Sequence, residues 1–153
     1  MTILVTPEMA NFSGKMHGGE ILRHLDLAAY ACASRYCGNY TVTISVDTVI
    51  FKNPIYIGEM VTFMATVNYT GRTSMEIGIK VIAENIKDHS VRHTNTCYFT
   101  MVSMGEDGKT IPVEPLKLET DPQKRRYKAA EKRRESRKAL VEATKGSWFR
   151  HSK

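Results

Sequence analysis

Residues 20–36 read EILRHLDLAAYACASRY, and this stretch decides the fold that we expect. Apolar and small residues recur in it at the three- and four-residue spacing of one helix face: Ile21, Leu22, Leu25, Ala28, Ala29 and Cys32. Its alanines suit a helix that packs closely against something flat. Gly38 and Asn39 both tolerate left-handed backbone geometry, so we expect the helix to end there.

After this helix the sequence changes to a period of two, which is typical of half-buried strands. The predicted strands are residues 41–46, 60–69, 74–86 and 91–104. Met75, Ile77, Ile79 and Val81 lie on one side of the third strand, and short polar or glycine-containing turns separate the strands. One long helix followed by long antiparallel strands is an α+β arrangement. Because one helix cannot cover so many strands while they stay flat, we expect the sheet to curl around it.

The charge of the chain is unevenly distributed. Its net charge of +6 combines residues 1–116, with 9 Lys+Arg and 11 Asp+Glu, and residues 117–153, with 13 Lys+Arg and 5 Asp+Glu. We therefore predict a domain over 1–116 and a basic helical extension over 117–153. Thr120-Asp121-Pro122 predicts the start of the extension's helix, which is helix-compatible up to Gly146. A nearly neutral domain argues against a nucleic-acid partner.

Several classes of protein are disfavoured by what the sequence lacks. No apolar run approaches the roughly 18 residues of a membrane span, and the first ten residues, MTILVTPEMA, do not resemble a signal peptide. The three cysteines have no zinc-ligand spacing and fit reduced thiols in a cytoplasmic protein. We expect no metal and no cofactor.

The densest group of candidate active-site residues is Asn11, the His17-Gly18-Gly19 tripeptide and Asp26. Free N–H groups at a helix start can stabilise an oxyanion, although the glycines equally allow a tight turn. Asp26 lies on the apolar side of the predicted helix or at its border. It can act as a general base or a nucleophile, or it can simply pair with Arg23 or a backbone N–H.

Four stretches together resemble one family: NFSGKMHGGEILRHLDLAAYACASRY (11–36), TISVDTVIFKNPIYIGEMVTFMATVNYTGRTSMEIGIKVIAEN (43–85), RHTNTCYFTMV (92–102) and KRRYKAAEKRR (124–134). The chain is similar to the acyl-CoA thioesterases of the hotdog superfamily, the cytosolic acyl-CoA hydrolase group. The resemblance implies a hotdog fold, an acyl-CoA substrate and a homodimer that is usually assembled into a trimer of dimers. It also implies that Asn11 and Asp26 are catalytic and that His17, Gly18 and Gly19 form the oxyanion-binding helix start.

The spacing of these residues predicts a site shared between subunits. Asp26 lies seven residues beyond Gly19, about 10 Å along a helix, which is too far for both to meet one thioester carbon. Asn11 and Gly19 of one subunit with Asp26 of its partner remove this difficulty. Arg72, Thr73 and Ser74 form a turn that can bind CoA phosphates or can be a solvated hairpin tip.

Two further interpretations stay open. The chain can be a catalytically silent acyl-CoA binding or regulatory module on the same fold, because fold alone does not determine function. The basic extension can contact CoA or help assembly, or it can be a solvated segment.

Overall fold

A computed structural model describes residues 1–145 of the chain. They fall into two compact units, Met1–Leu116 and a second unit that begins at Lys117. Within the first unit lie one long helix and five strands, and within the second lies one helix.

The long helix, α1, covers Gly18–Cys37. It forms because its apolar residues share one face, and the residues buried on that face are Ile21, His24, Leu25, Ala28, Ala29 and Ala33. The His17 side chain caps its start, and Gly38 ends it with a φ of 70°. The predicted helix is therefore confirmed at both ends. Leu22, which the spacing assigned to the buried face, is 39% exposed instead and lies at its border.

The five strands are β1 (Thr2–Leu4), β2 (Tyr40–Val46), β3 (Met60–Thr70), β4 (Ser74–Glu84) and β5 (Val91–Met104). They pair antiparallel in the order β1-β3-β4-β5-β2. The four predicted strands are confirmed, with β4 ending two residues earlier than expected. Strand β1 was missed because three residues are too few for an alternating pattern to be recognised.

The sheet curls around α1, which packs against β2, β3, β4 and β5. The sheet face toward the helix carries the predicted row of β4 together with its neighbours on adjacent strands, all buried: Phe63, Met75, Ile77, Ile79, Val81, Cys97, Phe99 and Met101. Leu25 and Ala29 of α1 are fully buried as well. This is the α+β arrangement that the sequence pattern predicts and the hotdog fold that the family resemblance implies.

The helix of the second unit, α2, covers Asp121–Thr144. Thr120 caps it reciprocally with Gln123, because the Thr120 hydroxyl accepts from the Gln123 N–H while the Gln123 side chain accepts from the Thr120 N–H. The predicted start at Thr120-Asp121-Pro122 is confirmed, and the predicted end at Gly146 lies outside the described residues. Neither α1 nor α2 is long and apolar enough to cross a membrane.

Candidate active site

The first group of site residues begins with the loop over residues 11–15. The Asn11 N–H donates to the Lys15 carbonyl over 2.7 Å, and Gly14 closes the loop with a φ of 74°. The Oδ1 atom of Asn11 accepts from the Ser13 N–H, the Ser13 hydroxyl and the Lys15 N–H at 2.8–3.2 Å. Because these donors require an oxygen, the amide orientation is fixed, and the Nδ2 amino group is left without an acceptor in residues 1–145.

Two neighbouring segments hold this loop. The Met16 N–H donates to the Ile55 carbonyl over 2.7 Å, and the His17 N–H donates to the Met9 carbonyl over 2.8 Å. Lys15 also forms an isolated β-bridge with Tyr56. Asn11 is thus exposed on a loop whose backbone is bonded on both sides, so its free amino group has a defined position.

At the start of α1 the N–H groups are not equally free. The Gly19 N–H donates to Nδ1 of His17 over 3.1 Å, which requires that this nitrogen carry no proton. The Gly18 N–H has no acceptor within the described part of the chain. The sequence predicted free donors at both glycines, whereas here Gly18 offers one directly and Gly19 offers one only if the His17 ring turns away.

The second group consists of Asp26 on α1 and Thr43 on β2. The Thr43 hydroxyl donates to Oδ1 of Asp26 over 2.6 Å, a short hydrogen bond to a charged acceptor. A second contact between the same elements joins Ser34 and Thr41 over 2.9 Å, so the helix and the edge strand are tied twice. Asp26 is exposed, and its Oδ2 atom has no partner in residues 1–145.

The alternative pairing of Asp26 with Arg23 is wrong. The Arg23 side chain instead contacts Glu20, with 3.2 Å between Nε and Oε2. The Arg23 guanidinium is exposed and one turn nearer the helix start, where an acidic partner is available at the favourable three-residue spacing. Asp26 therefore keeps one carboxylate oxygen available.

The predicted CoA-binding turn lies apart from both groups. Residues 70–74 join β3 to β4, and the exposed Arg72 has no side-chain partner among the described residues. Residues 113 and 114 tie this turn to the end of α1. The Val113 N–H donates to the Arg72 carbonyl, and the Tyr36 hydroxyl donates to the Glu114 carbonyl. Arg72, Thr73 and Ser74 thus lie toward the carboxyl end of α1, whereas Asn11 lies at its start.

In a single chain the predicted residues consequently form separate groups. Asn11, His17, Gly18 and Gly19 meet at the start of α1, and no hydrogen bond in residues 1–145 links them to Asp26. One helix turn to either side of Asp26, Leu22 and Tyr30 are 39% and 40% exposed, and the Tyr30 ring contacts Tyr40 of β2, which is 61% exposed. Exposed apolar side chains beside a carboxylate suit a surface that another molecule covers.

Sequence reasoning missed Thr43. It follows the ordinary alternation of β2, where a threonine is a common strand residue, and only its contact with Asp26 distinguishes it.

Neither the sequence nor the structure favours a thiol nucleophile, because burial raises the pKa of Cys97 to about 12 and also raises the pKa of Cys32. No cluster of three His, Cys, Asp or Glu side chains that could hold a metal occurs between residues 1 and 145.

Comparison with known proteins gives a consistent result. The model of the thioesterase superfamily matches residues 13–88. Protein VdlD of Helicobacter pylori is 52% identical over 137 residues, which are 90% of this chain and 78% of VdlD. A hexameric acyl-CoA thioesterase solved in its apo form is 34% identical, with a TM-score of 0.89, over 92% of this chain and 90% of that one.

The acyl-CoA hydrolase of Staphylococcus aureus has been solved in complex with butyryl coenzyme A, coenzyme A and coenzyme A disulfide. It is 29% identical, with a TM-score of 0.88, over 96% of this chain and 90% of that one. Variants of that enzyme with alanine in place of an asparagine, an aspartate or a threonine have also been solved. Since sequence and fold agree along nearly the whole chain, it belongs to the acyl-CoA thioesterases of the hotdog superfamily.

Proposed function

We propose that this enzyme hydrolyses fatty acyl-CoA to a free fatty acid and CoA. Asn11 and the start of α1 polarise the thioester carbonyl, and Asp26, oriented by Thr43, acts as general base or nucleophile. The observation that carries this assignment is the 2.6 Å hydrogen bond from Thr43 to Asp26, which orients one carboxylate oxygen and leaves the other available.

The spacing of the three residues supports this assignment. In the Staphylococcus aureus enzyme the asparagine and the aspartate replaced by alanine are 15 positions apart, and the aspartate and the threonine are 17 apart. Asn11, Asp26 and Thr43 have the same two spacings. The two chains share the fold over nearly their whole lengths, so the equal spacings support equivalent roles for the three residues.

Thioester hydrolysis needs hydrogen-bond donors to the carbonyl oxygen and a general base or nucleophile near the carbonyl carbon. The free Nδ2 group of Asn11 and the Gly18 N–H supply hydrogen bonds to the carbonyl oxygen, on which negative charge develops. As a general base, Asp26 takes a proton from the attacking water and returns it to the departing CoA thiolate. As a nucleophile, Asp26 instead attacks the carbonyl carbon, expels CoA and forms a mixed anhydride that water then cleaves.

We propose that each site is completed by a second subunit. Gly19 and Asp26 are about 10 Å apart along α1, so one thioester carbon cannot contact both residues of the same helix. The exposed Leu22 and Tyr30 side chains, one helix turn to either side of Asp26, suit contact with a second copy of the chain. The related apo thioesterase is a hexamer, which supports a trimer of dimers here.

The function is tested with acyl-CoA substrates of increasing chain length, with release of the CoA thiol measured. We expect hydrolysis by the wild-type enzyme, unchanged by chelators, and severe losses in Asn11→Ala and Asp26→Ala. Tight acyl-CoA binding without thiol release would instead identify a binding or regulatory module. Activity lost on chelation and restored by one metal would contradict the proposed chemistry.

A single turnover in ¹⁸O-labelled water, combined with trapping, separates the two roles of Asp26. A general base places labelled oxygen in the fatty acid and leaves Asp26 unlabelled. A nucleophile acquires the label in its carboxylate if water cleaves the anhydride at the Asp26 carboxyl carbon, whereas cleavage at the acyl carbon labels only the fatty acid. Label in the peptide that contains Asp26 therefore identifies a nucleophile, and when that peptide is unlabelled, trapping of the anhydride with hydroxylamine identifies a nucleophile and its failure a general base.

A further inference from the structure

The tightest ion pair in the first unit lies outside the proposed site. Arg92 on β5 binds Glu59 with both ends of its guanidinium, at 2.7 Å from Nη1 to Oε1 and 2.6 Å from Nη2 to Oε2. The Glu59 side chain is only 7% exposed. A bidentate pair of this kind fixes both partners in angle as well as distance.

Arg92 also holds the segment that leads to Glu59, residues 54–59, which we call the strap. Its Nη2 atom donates to the Pro54 carbonyl over 2.7 Å, and its guanidinium lies 5.6 Å from the centre of the Tyr56 ring. The Tyr56 N–H donates to Oε2 of Glu59 over 2.8 Å. One arginine therefore contacts the beginning, the middle and the end of the strap.

The strap in turn holds the Asn11 loop. The Ile55 carbonyl accepts from the Met16 N–H, and Tyr56 forms the bridge with Lys15, whose carbonyl accepts from the Asn11 N–H. A continuous series of hydrogen bonds thus runs from Arg92 through the strap to Asn11.

The groups around this ion pair favour the ionised form of Glu59. Burial by itself raises the pKa of Glu59, but the hydrogen bonds from Arg92 and the Tyr56 N–H, with the charge of Arg92, outweigh burial and leave the pKa below its ordinary value. A buried ion pair adds little stability compared with apolar packing of the same volume. A role in fixing the geometry of the strap explains why the Arg92–Glu59 pair is present although it adds little to the free energy of unfolding.

We propose that Arg92 and Glu59 are positioning residues for Asn11, which hold the strap so that the Asn11 amino group stays aligned with the thioester carbonyl. This inference rests on the proposed role of Asn11 in acyl-CoA hydrolysis. A shift of about 1 Å in a catalytic group can lower the rate by up to about a hundredfold, so loosening the strap is expected to matter.

The kinetic test compares Arg92→Met, Arg92→Lys and the control Arg23→Met, which breaks an exposed ion pair with Glu20. We expect Arg92→Met to lower kcat by about tenfold or more with less than a twofold change in KM, and Arg92→Lys to recover part of the loss. Arg23→Met should change neither kcat nor KM. If Arg92→Met folds poorly, Glu59→Gln keeps the side-chain volume and weakens the same contacts.

The decisive measurement is the same substitution in an Asn11→Ala background. If Arg92 acts through Asn11, Arg92→Met lowers kcat in the wild-type chain and has little further effect once Asn11 is gone. Equal losses in both backgrounds would overturn the inference and leave the role of Asn11 intact. Full activity of Asn11→Ala would instead overturn the proposed function itself.

Hydrogen exchange provides a readout that does not depend on activity. In Arg92→Met or Glu59→Gln, amides of residues 11–17 should exchange at least several-fold faster, while those of β4 stay protected. Unchanged exchange in residues 11–17 would overturn the inference, whatever the kinetics.

Discussion

The loop group (Asn11, His17, Gly18 and Gly19) and the carboxylate pair (Asp26 and Thr43) are held in different ways. Backbone hydrogen bonds fix the loop group, such as Met16 N–H to the Ile55 carbonyl. One side-chain hydrogen bond, from Thr43 to Asp26, fixes the carboxylate pair, while the Ser34–Thr41 contact joins the same helix and strand independently. We therefore expect the fold to tolerate substitution of the exposed carboxylate, whereas the position of the loop group depends on other segments.

The largest effect is expected at the carboxylate. Asp26→Ala and the nearly isosteric Asp26→Asn should each lower kcat by about 10²- to 10⁴-fold, because both lose the base or nucleophile. Asp26 is exposed, so thermal unfolding and circular dichroism should match those of the wild-type chain. A kcat within tenfold of wild type for either variant would exclude Asp26 as the acting group.

Mixing inactive variants tests whether the two groups act across subunits. After joint unfolding and refolding of Asn11→Ala with Asp26→Ala, about half of the dimers are hybrids and each regains one intact site, so about a quarter of sites should work. Native mass spectrometry of isotopically labelled chains verifies that hybrids form. Hybrids without activity would place both groups in one chain.

The fold and the two groups were not equally predictable from the sequence. Periods of 3.6 and 2 predicted α1 and the four long strands, because burial of one face determines those patterns. Asn11 and Asp26 were identified through a family resemblance, since neither residue alone distinguishes a site. Thr43 and the Arg92–Glu59 pair escaped because their partners lie 17 and 33 residues away, and only folding brings them together.

Thr43 tests how far orientation matters within the carboxylate pair. Thr43→Val keeps the shape and removes the hydrogen bond to Asp26, so kcat should fall by about 10- to 100-fold, the loss expected for a bond to a charged group. Thr43→Ser retains the hydroxyl and should keep most activity. If Thr43→Val and Thr43→Ser have the same kcat, the hydroxyl plays no part in catalysis.

The strap that supports the loop group predicts a dependence of stability on pH. Folding lowers the pKa of Glu59 below its ordinary value of 4.5. The ionised carboxylate therefore stabilises the folded chain above about pH 4.5, and this stabilisation is lost as the pH falls through the lower pKa of the folded chain. The wild-type chain should therefore lose more unfolding free energy between about pH 5 and 3 than Glu59→Gln does. Parallel curves from denaturant titrations at each pH would contradict this.

The smallest effect is expected at Arg72, which lies apart from both groups. Its exposed guanidinium can form a charge-assisted hydrogen bond with a CoA phosphate, but water competes at such a site, so Arg72→Ala should raise KM only by about two- to fivefold. Because the turn is far from the start of α1, kcat should stay constant, and the change in KM should shrink as salt screens the charge. Arg35→Ala removes another exposed cation of the same domain and serves as the control. An unchanged KM at low salt would remove Arg72 from the CoA site, and a fall in kcat would connect this turn with the catalytic groups.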